Sequence, residues 1–287
     1  GCAGFLLLPG SERMSHGGLL GGMWILVYNN AFQREHTDMR TPPSPLTAPA
    51  ELSADILQRL RRVSVATLCT CLFKRGLRNQ VIQGVLPVGT YDGNMVGPAF
   101  TLRYMPARED LNTMDVFRDP GHLQRRAVEE CPAGAVLVID SRKDARAASA
   151  GGILVGRLQA RGVAGVVSDG GFRDAPDIAK LTMPAYHARP SAPTNLTLHH
   201  AIDINVPIGC GDAPVFPGDI VVGDGEAVVV LPLHLAAVIA EEAFEMTAFE
   251  DFVQQEVEKG RSIIGLYPAT DSQVQTAFAA WRAANGR

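Results

Sequence analysis

Two short stretches hold the residues best suited to chemistry. Ser149–Leu154 places Gly151 and Gly152 directly before an apolar, helix-like pattern. A helix N-terminus exposes unpaired N–H groups and a partial positive charge, so it attracts carboxylate or phosphate. Two glycines there let a ligand approach the backbone closely. Ser168–Asp174 ends in the pair Arg173-Asp174, just after an apolar run. Arginine can clamp a carboxylate with two parallel N–H groups and stabilise a developing enolate. Aspartate is a hard oxygen ligand suited to Mg²⁺. By residue type alone, the glycines equally suit a tight turn, and the pair equally suits a surface ion pair.

Other candidates are weaker. His199 and His200 are adjacent, so on a helix or strand their rings diverge. Asp140–Asp144 reads as a solvated charge run at a strand end, and Asp212, Asp219 and Asp224 stand in Gly/Pro turns where Asp commonly caps backbone. The 5 cysteines (Cys2, Cys69, Cys71, Cys131, Cys210) are odd in number and form no CxxC, so reduced, mostly buried thiols in a cytosolic protein are expected. There is no Walker lysine loop, GxSxG elbow or HExxH. Gly209-Cys210-Gly211 follows Pro207 and opens no helix, so it is not a dinucleotide turn.

The elements that must position these residues follow from patterning. Ser53 caps an expected helix over 54–62, and a second runs from Ser64 until Gly76 stops it. Residues 96–104 read as a strand and 119–130 as a polar helix. The runs 135–139 and 164–168 are strands buried on both faces, joined by a helix over 153–161 that Gly162 closes. That is a β-α-β alternation, and in such sheets ligands sit off the carboxyl ends of strands. Short strands are expected near Ala185 and over 202–208, 220–223 and 227–231. Pro232 then opens a long helix from Leu233 to about Glu258.

The chain has 287 residues, 46% of them apolar, which is enough for a sizeable core in one large or two small domains. A net charge of −4 argues against nucleic-acid binding by bulk charge. Residues 1–50 differ from the rest. Their apolar runs, 5–8 and 19–27, fall far short of the roughly 20 residues of a membrane span. Only Arg13 precedes the second run, which is a poor secretory n-region. Residues 1–50 are expected to be a disordered extension, with 1–38 foreign to the natural chain or upstream of a start at Met39. Residues 51–287 are expected to form the folded domain.

The block Gly151–Asp174 resembles a family signature. So do Gly97–Arg103, Val136–Asp140, Pro217–Asp224 and Val228–Pro232, in order, over residues 52–267. The family holds the regulator of ribonuclease activity A and the 4-hydroxy-4-methyl-2-oxoglutarate / 4-carboxy-4-hydroxy-2-oxoadipate aldolases. The resemblance implies an α/β fold: a swivelling β/β/α-type single domain with N-terminal helices and a long C-terminal helix. It implies a cytoplasmic homotrimer or hexamer with interfacial sites, and no nucleic-acid or membrane partner. The implied activity is that of a class II-type pyruvate aldolase and oxaloacetate decarboxylase. Such a carbon–carbon lyase cleaves small 2-oxo acids to pyruvate with Mg²⁺, or another divalent metal such as Mn²⁺.

By residue-for-residue matching, Arg173 would hold the pyruvyl oxygen and stabilise the enolate. The loop Gly151, Gly152, Ile153 and Leu154 would bind the substrate carboxylate through backbone N–H groups. Asp174 would ligate the metal, and Glu250 would act through metal-bound water from a neighbouring subunit. Two positions depart from the pattern. The aldolases' acidic residue 21 positions before the arginine is Gly152 here, and an early-helix Asp is Thr70. Asp144 and Asp169 are the candidates to supply the missing carboxylate. Two alternatives therefore stand beside the lyase: a non-catalytic regulator that binds an RNA-degrading enzyme, and a dehydratase or hydratase of a sugar-derived 2-oxo acid.

Overall fold

The computed structural model describes residues 52–286, so the extension expected over residues 1–50 lies outside the described residues. Ser53 and Ser64 open the first helices, α1 (Ala54–Leu60) and α2 (Val65–Lys74). Their hydroxyls accept the N–H groups of Ile56 and Thr67, giving partners to donors the helix cannot pair itself.

The chain then builds β1 (Leu86–Pro87), β2 (Met95–Pro106), α3 (Leu123–Glu130), β3 (Val136–Asp140), β4 (Ala148–Ala150), α4 (Gly152–Ala160), β5 (Gly165–Phe172) and α5 (Ala175–Ile178). After these come β6 (Ala185–Pro190), β7 (His199–Ile204), β8 (Ile208–Cys210), β9 (Ala213–Val215), β10 (Ile220–Gly223), β11 (Val228–Leu231), α6 (Leu233–Glu258) and α7 (Ser272–Asn285). Strands β1, β6, β5, β3, β2, β10 and β11 lie side by side in that order, with β4 against β5 and β7 against β2. The stretch β2-β3-β5-β6 is parallel, and the outer pairings are antiparallel. The fold is mixed α/β with N-terminal helices and a long C-terminal helix.

Alternation along β3 explains its apolar run. Leu137 and Ile139 pack with Val155 and Leu158 of α4, while Val136 and Val138 pack with Ile208, Cys210 and Val215 beneath the other face. A third cluster seats Leu60, Leu68 and Leu72 against Ile239 and Ala240 of α6. Cys71, Cys131 and Cys210 are buried free thiols, and desolvation raises Cys71 and Cys131 to about 12. Among the described residues, no helix is long and apolar enough to cross a membrane.

Several boundaries differ from the pattern reading. The polar helix starts at Leu123 rather than 119, after a short 3₁₀ turn over Met114–Arg118, because Pro120 and Gly121 interrupt it. The expected strand over 202–208 divides into β7 and β8, broken by Asn205 in the left-handed region (φ 54°) and by Pro207. A second C-terminal helix, α7, packs Phe278 and Trp281 onto Phe252 of α6.

Strand β5 also shifts, running on to Phe172 with all its residues buried. Gly170 and Gly171 are therefore part of the strand, beyond the end expected at 168. A Cβ at Gly170 would stand 2.5 Å from Ser149 Oγ, and one at Gly171 2.5 Å from Ser191 Cβ. These glycines make room for the side chains of Ser141, Ser149 and Ser191 packed against the strand.

Candidate active site

Strand β4 ends at Ala150, Gly151 caps α4, and the chain leaving β5 returns beside them, with Arg173 N–H donating to Ala150 O at 3.1 Å. Asp174 follows in the left-handed region (φ 59°, ψ 30°), a conformation that Asp tolerates better than most residues. That turn aims its carboxylate back at the helix. Oδ2 accepts the Gly152 N–H at 3.1 Å and lies 3.8 Å from Arg173 Nε. Gly151 has no side chain to cap α4, and Asp174 supplies the cap from 22 residues away.

Both glycines make room for the pair. A Cβ on Gly151 would meet Arg173 Cγ at 2.7 Å, and one on Gly152 would meet Asp174 Cβ at 3.1 Å. Helical geometry leaves the N–H groups of Ile153 and Leu154 without acceptors inside the helix. With the Arg173 guanidinium they supply the donors of the site, beside the single carboxylate of Asp174. The side chains of Arg173 and Asp174 are about half exposed (47% and 45%), so solvent-borne ligands can reach them.

These residues open on a cleft of about 250 Å³, which Phe117, Gln124, Arg125, Thr194 and Asn195 also line. Sequence patterning did not reveal those five, because a polar helix face and a short turn carry no local sign of facing a site. A rigid floor fixes the loop. Ser149 O accepts from Tyr104 Oη at 2.8 Å and from Gln124 Nε2 at 2.7 Å. Ser149 Oγ bonds the hydroxyls of Ser141 and Ser168, each at 2.6 Å, and all three serines are buried. This network immobilises β4 two residues before Gly151.

The other acidic candidates go elsewhere. Asp169 is buried and accepts the N–H groups of Ser141 (2.6 Å), Lys143 (3.1 Å) and Gly211 (3.1 Å), with desolvation raising its pKa. Asp144 pairs with Arg146 at 2.7 Å, and the hydrogen bond to that guanidinium helps hold it down at about 2. Neither lines the cleft within this chain, Asp169 being committed to three backbone N–H groups and Asp144 to Arg146. Thr70 turns its hydroxyl back to Ala66 O.

Glu250 bonds Thr67 Oγ1 (2.8 Å) and Tyr267 Oη (3.2 Å) between α2 and the 261–271 segment, away from the cleft lining. The two histidines part as expected. His199 is buried, stacks on Tyr104 and faces Ala147 O, while His200 Nδ1 faces the Asn112 amide. Asp219 caps Phe216 and Leu233, Asp224 accepts the Val65 N–H, and Asp212 pairs with Lys143.

Among the described residues, no three His, Cys, Asp or Glu side chains converge as metal ligands. Asp174 nevertheless suits a divalent cation that keeps most of its water. Oδ2 takes both protein contacts, leaving Oδ1 without a donor among the described residues.

The structure thus brings together a glycine-opened helix N-terminus and an Arg-Asp pair on a mixed α/β sheet, with Asp174 capping the helix. The family described as RraA-like, Aldolase/RraA, matches residues 65–230, and the chain belongs to it. A 4-hydroxy-4-methyl-2-oxoglutarate aldolase of Thermus thermophilus is 30% identical over 122 residues, covering 42% of this chain and 73% of the relative. A Halalkalibacterium halodurans protein provisionally given the same aldolase name is 30% identical over 183 residues, covering 64% and 79%. Among solved structures, RraAS2 of Streptomyces coelicolor is described as an unusual member of the RNase ES inhibitor RraA protein family. It superimposes with a TM-score of 0.63 at 30% identity, over 71% of this chain and 98% of that one.

Proposed function

We propose that this protein is a divalent-metal-dependent carbon–carbon lyase that cleaves small 2-oxo acids and releases pyruvate. The observation that carries the reading is the meeting of Arg173 and Asp174 at the open N-terminus of α4. The N–H groups of Ile153 and Leu154 receive the substrate carboxylate. Arg173 donates to the 2-oxo oxygen and stabilises the enolate charge left there when the carbon–carbon bond breaks. Asp174 would hold Mg²⁺ or Mn²⁺ through Oδ1. When bound, the metal supplies Lewis-acid polarisation of the 2-oxo group. The aldolase names of the two relatives support this reading.

The catalytic unit is residues 51–287, acting in the cytoplasm as a homotrimer or hexamer. Glu250 does not line the cleft within one chain, and its part in the site from a neighbouring subunit rests on the family resemblance.

One observation favours a second reading. Gly152 removes an acid that the aldolases carry, and the structural relative RraAS2 is described as belonging to a family of RNase inhibitors. On that reading the protein binds an RNA-degrading enzyme.

The test is pyruvate release coupled to lactate dehydrogenase. Oxaloacetate, 4-hydroxy-4-methyl-2-oxoglutarate and 3-deoxy-2-oxo sugar acids are offered with Mg²⁺. Activity that disappears with EDTA and in Arg173→Ala supports the lyase. Full activity in Arg173→Ala overturns the site assignment. No pyruvate from any substrate, together with capture of a purified ribonuclease, supports the regulator.

A further inference from the structure

The segment between β2 and α3 is fastened at its ends and loose in its middle. At the entry, Asn112 is buried, accepts the Arg108 N–H at 2.9 Å and meets His200 Nδ1 at 2.6 Å through its amide. At the exit, His122 O accepts the N–H groups of Arg125 and Arg126, each at 3.0 Å, as α3 begins. Between these anchors, among the described residues, the polar contacts of 113–121 close within 113–122. Val116 N–H donates to Thr113 O, Asp119 N–H to Val116 O, His122 N–H to Asp119 O and Gly121 N–H to Asp119 Oδ1, while Arg118 pairs with Asp115. The 3₁₀ turn over Met114–Arg118 buries none of its residues. A stretch with so little buried surface opens at low free energy, well below the cost of global unfolding.

Phe117 ties this segment to the body of the domain. Its ring lines the cleft, packs edge-on against His122 with centroids 5.2 Å apart, and lies 4.6 Å from the Arg125 guanidinium. Those partners are surface groups, Arg125 exposed and His122 half-buried, so the ring is held by weak aromatic contacts rather than locked into the core. Ile153, in the first turn of α4, lines the same cleft and is 88% exposed. A ring carried across the cleft onto Ile153 would take apolar surface of both residues out of water.

We propose that residues 113–121 are a lid, and that Phe117 is the side chain through which it closes over a ligand held at Arg173 and Asp174. With the segment where it stands, both of those side chains are about half exposed. Closure excludes bulk water from an enolate forming there and strengthens its pairing with the Arg173 guanidinium. The proposal rests on the reading above for the place of the ligand, and adds the element that shuts the site.

Hydrogen–deuterium exchange of the full chain with Mg²⁺ tests the lid. The probe is oxalate, a planar dianion shaped like the enolate of pyruvate, at a concentration that calorimetric titration shows to be saturating for each variant. In wild type, oxalate should slow exchange over 113–121 about tenfold. In Phe117→Ala that protection should disappear and oxalate should dissociate faster, with a melting temperature close to wild type because the ring is not in the core. Met114→Ser alters a residue that is 68% exposed on the same segment and outside the cleft lining, so it should keep both the protection and the rate of pyruvate release. Equal exchange over 113–121 with and without saturating oxalate overturns the lid, and so does full protection in Phe117→Ala. Absence of oxalate binding to wild type overturns the reading of the site and the lid with it. Protection that persists undiminished in Arg173→Ala leaves the lid standing and overturns the place of the ligand instead.

Discussion

The carboxylate of Asp174 caps the helix that begins at Gly152, accepting its N–H at 3.1 Å from a left-handed backbone turn. One side chain thus has two duties: it closes a helix end and it presents a free oxygen to the cleft. Substitutions can separate them. Asp174→Asn keeps both an oxygen for the Gly152 N–H and tolerance of positive φ, so it should melt within a few degrees of wild type. It should lose divalent-cation affinity, read by Mn²⁺ titration, and pyruvate release with it. Asp174→Ala loses the cap and strains the backbone as well, so its stability should fall by about 1–3 kcal/mol in urea titration. Equal stability of the two variants would contradict the capping role.

Gly152→Asp reinstates the acid that the aldolases carry. The new Cβ would sit 3.1 Å from Asp174 Cβ, a tight approach to a side chain at the exposed mouth of the cleft rather than to packed core. The added carboxylate lies in the first turn of α4, where the helix dipole favours it. A second oxygen ligand should tighten Mn²⁺ binding about tenfold and raise pyruvate release. Unchanged Mn²⁺ affinity would show that Asp174 does not face a cation.

The serine floor is rigid because Gly170 leaves it room. A Cβ at residue 170 would stand 2.5 Å from Ser149 Oγ and 2.6 Å from Ser141 Cβ, both buried. Gly170→Ala should therefore destabilise the protein by about 1–3 kcal/mol and displace β4. Because β4 leads into Gly151, pyruvate release should fall even at temperatures where the variant stays folded. A variant with wild-type melting and wild-type rate would remove the floor from the account.

His187 gives the fold an acid sensitivity. It is buried between strands, its Nδ1 has no partner, and desolvation lowers its pKa from 6.5 to about 4. In this interval the unfolded chain takes up a proton that the folded chain refuses, so stability is complete above pH 6.5 and declines as the pH falls towards 4. The slope is at most about 1.4 kcal/mol per pH unit for one such group. His187→Leu should flatten the melting curve over this range relative to wild type. Parallel curves for the two proteins would assign the acid sensitivity to other groups.

Local chemistry was legible in the sequence. Alternation and apolar runs located β3 and the start of β5, serine caps located α1 and α2, and Pro232 opened α6 where the pattern placed it. The Gly151-Gly152 and Arg173-Asp174 pairs stood out because helix entry and strand exit are set by neighbours in the chain. The tertiary structure decided which of these residues meet. Gly152 and Asp174 touch only because parallel β4 and β5 bring a helix start beside a strand end. Asp169, a plausible ligand by type, is turned inward to brace three backbone N–H groups, and β5 continues through glycines that look like a loop in isolation. Arg125 and Asn195 carry no local signature at all. Side-chain period, caps and turns are properties of a few consecutive residues, whereas convergence on a cleft depends on strand order and long-range packing, which no short window of sequence contains.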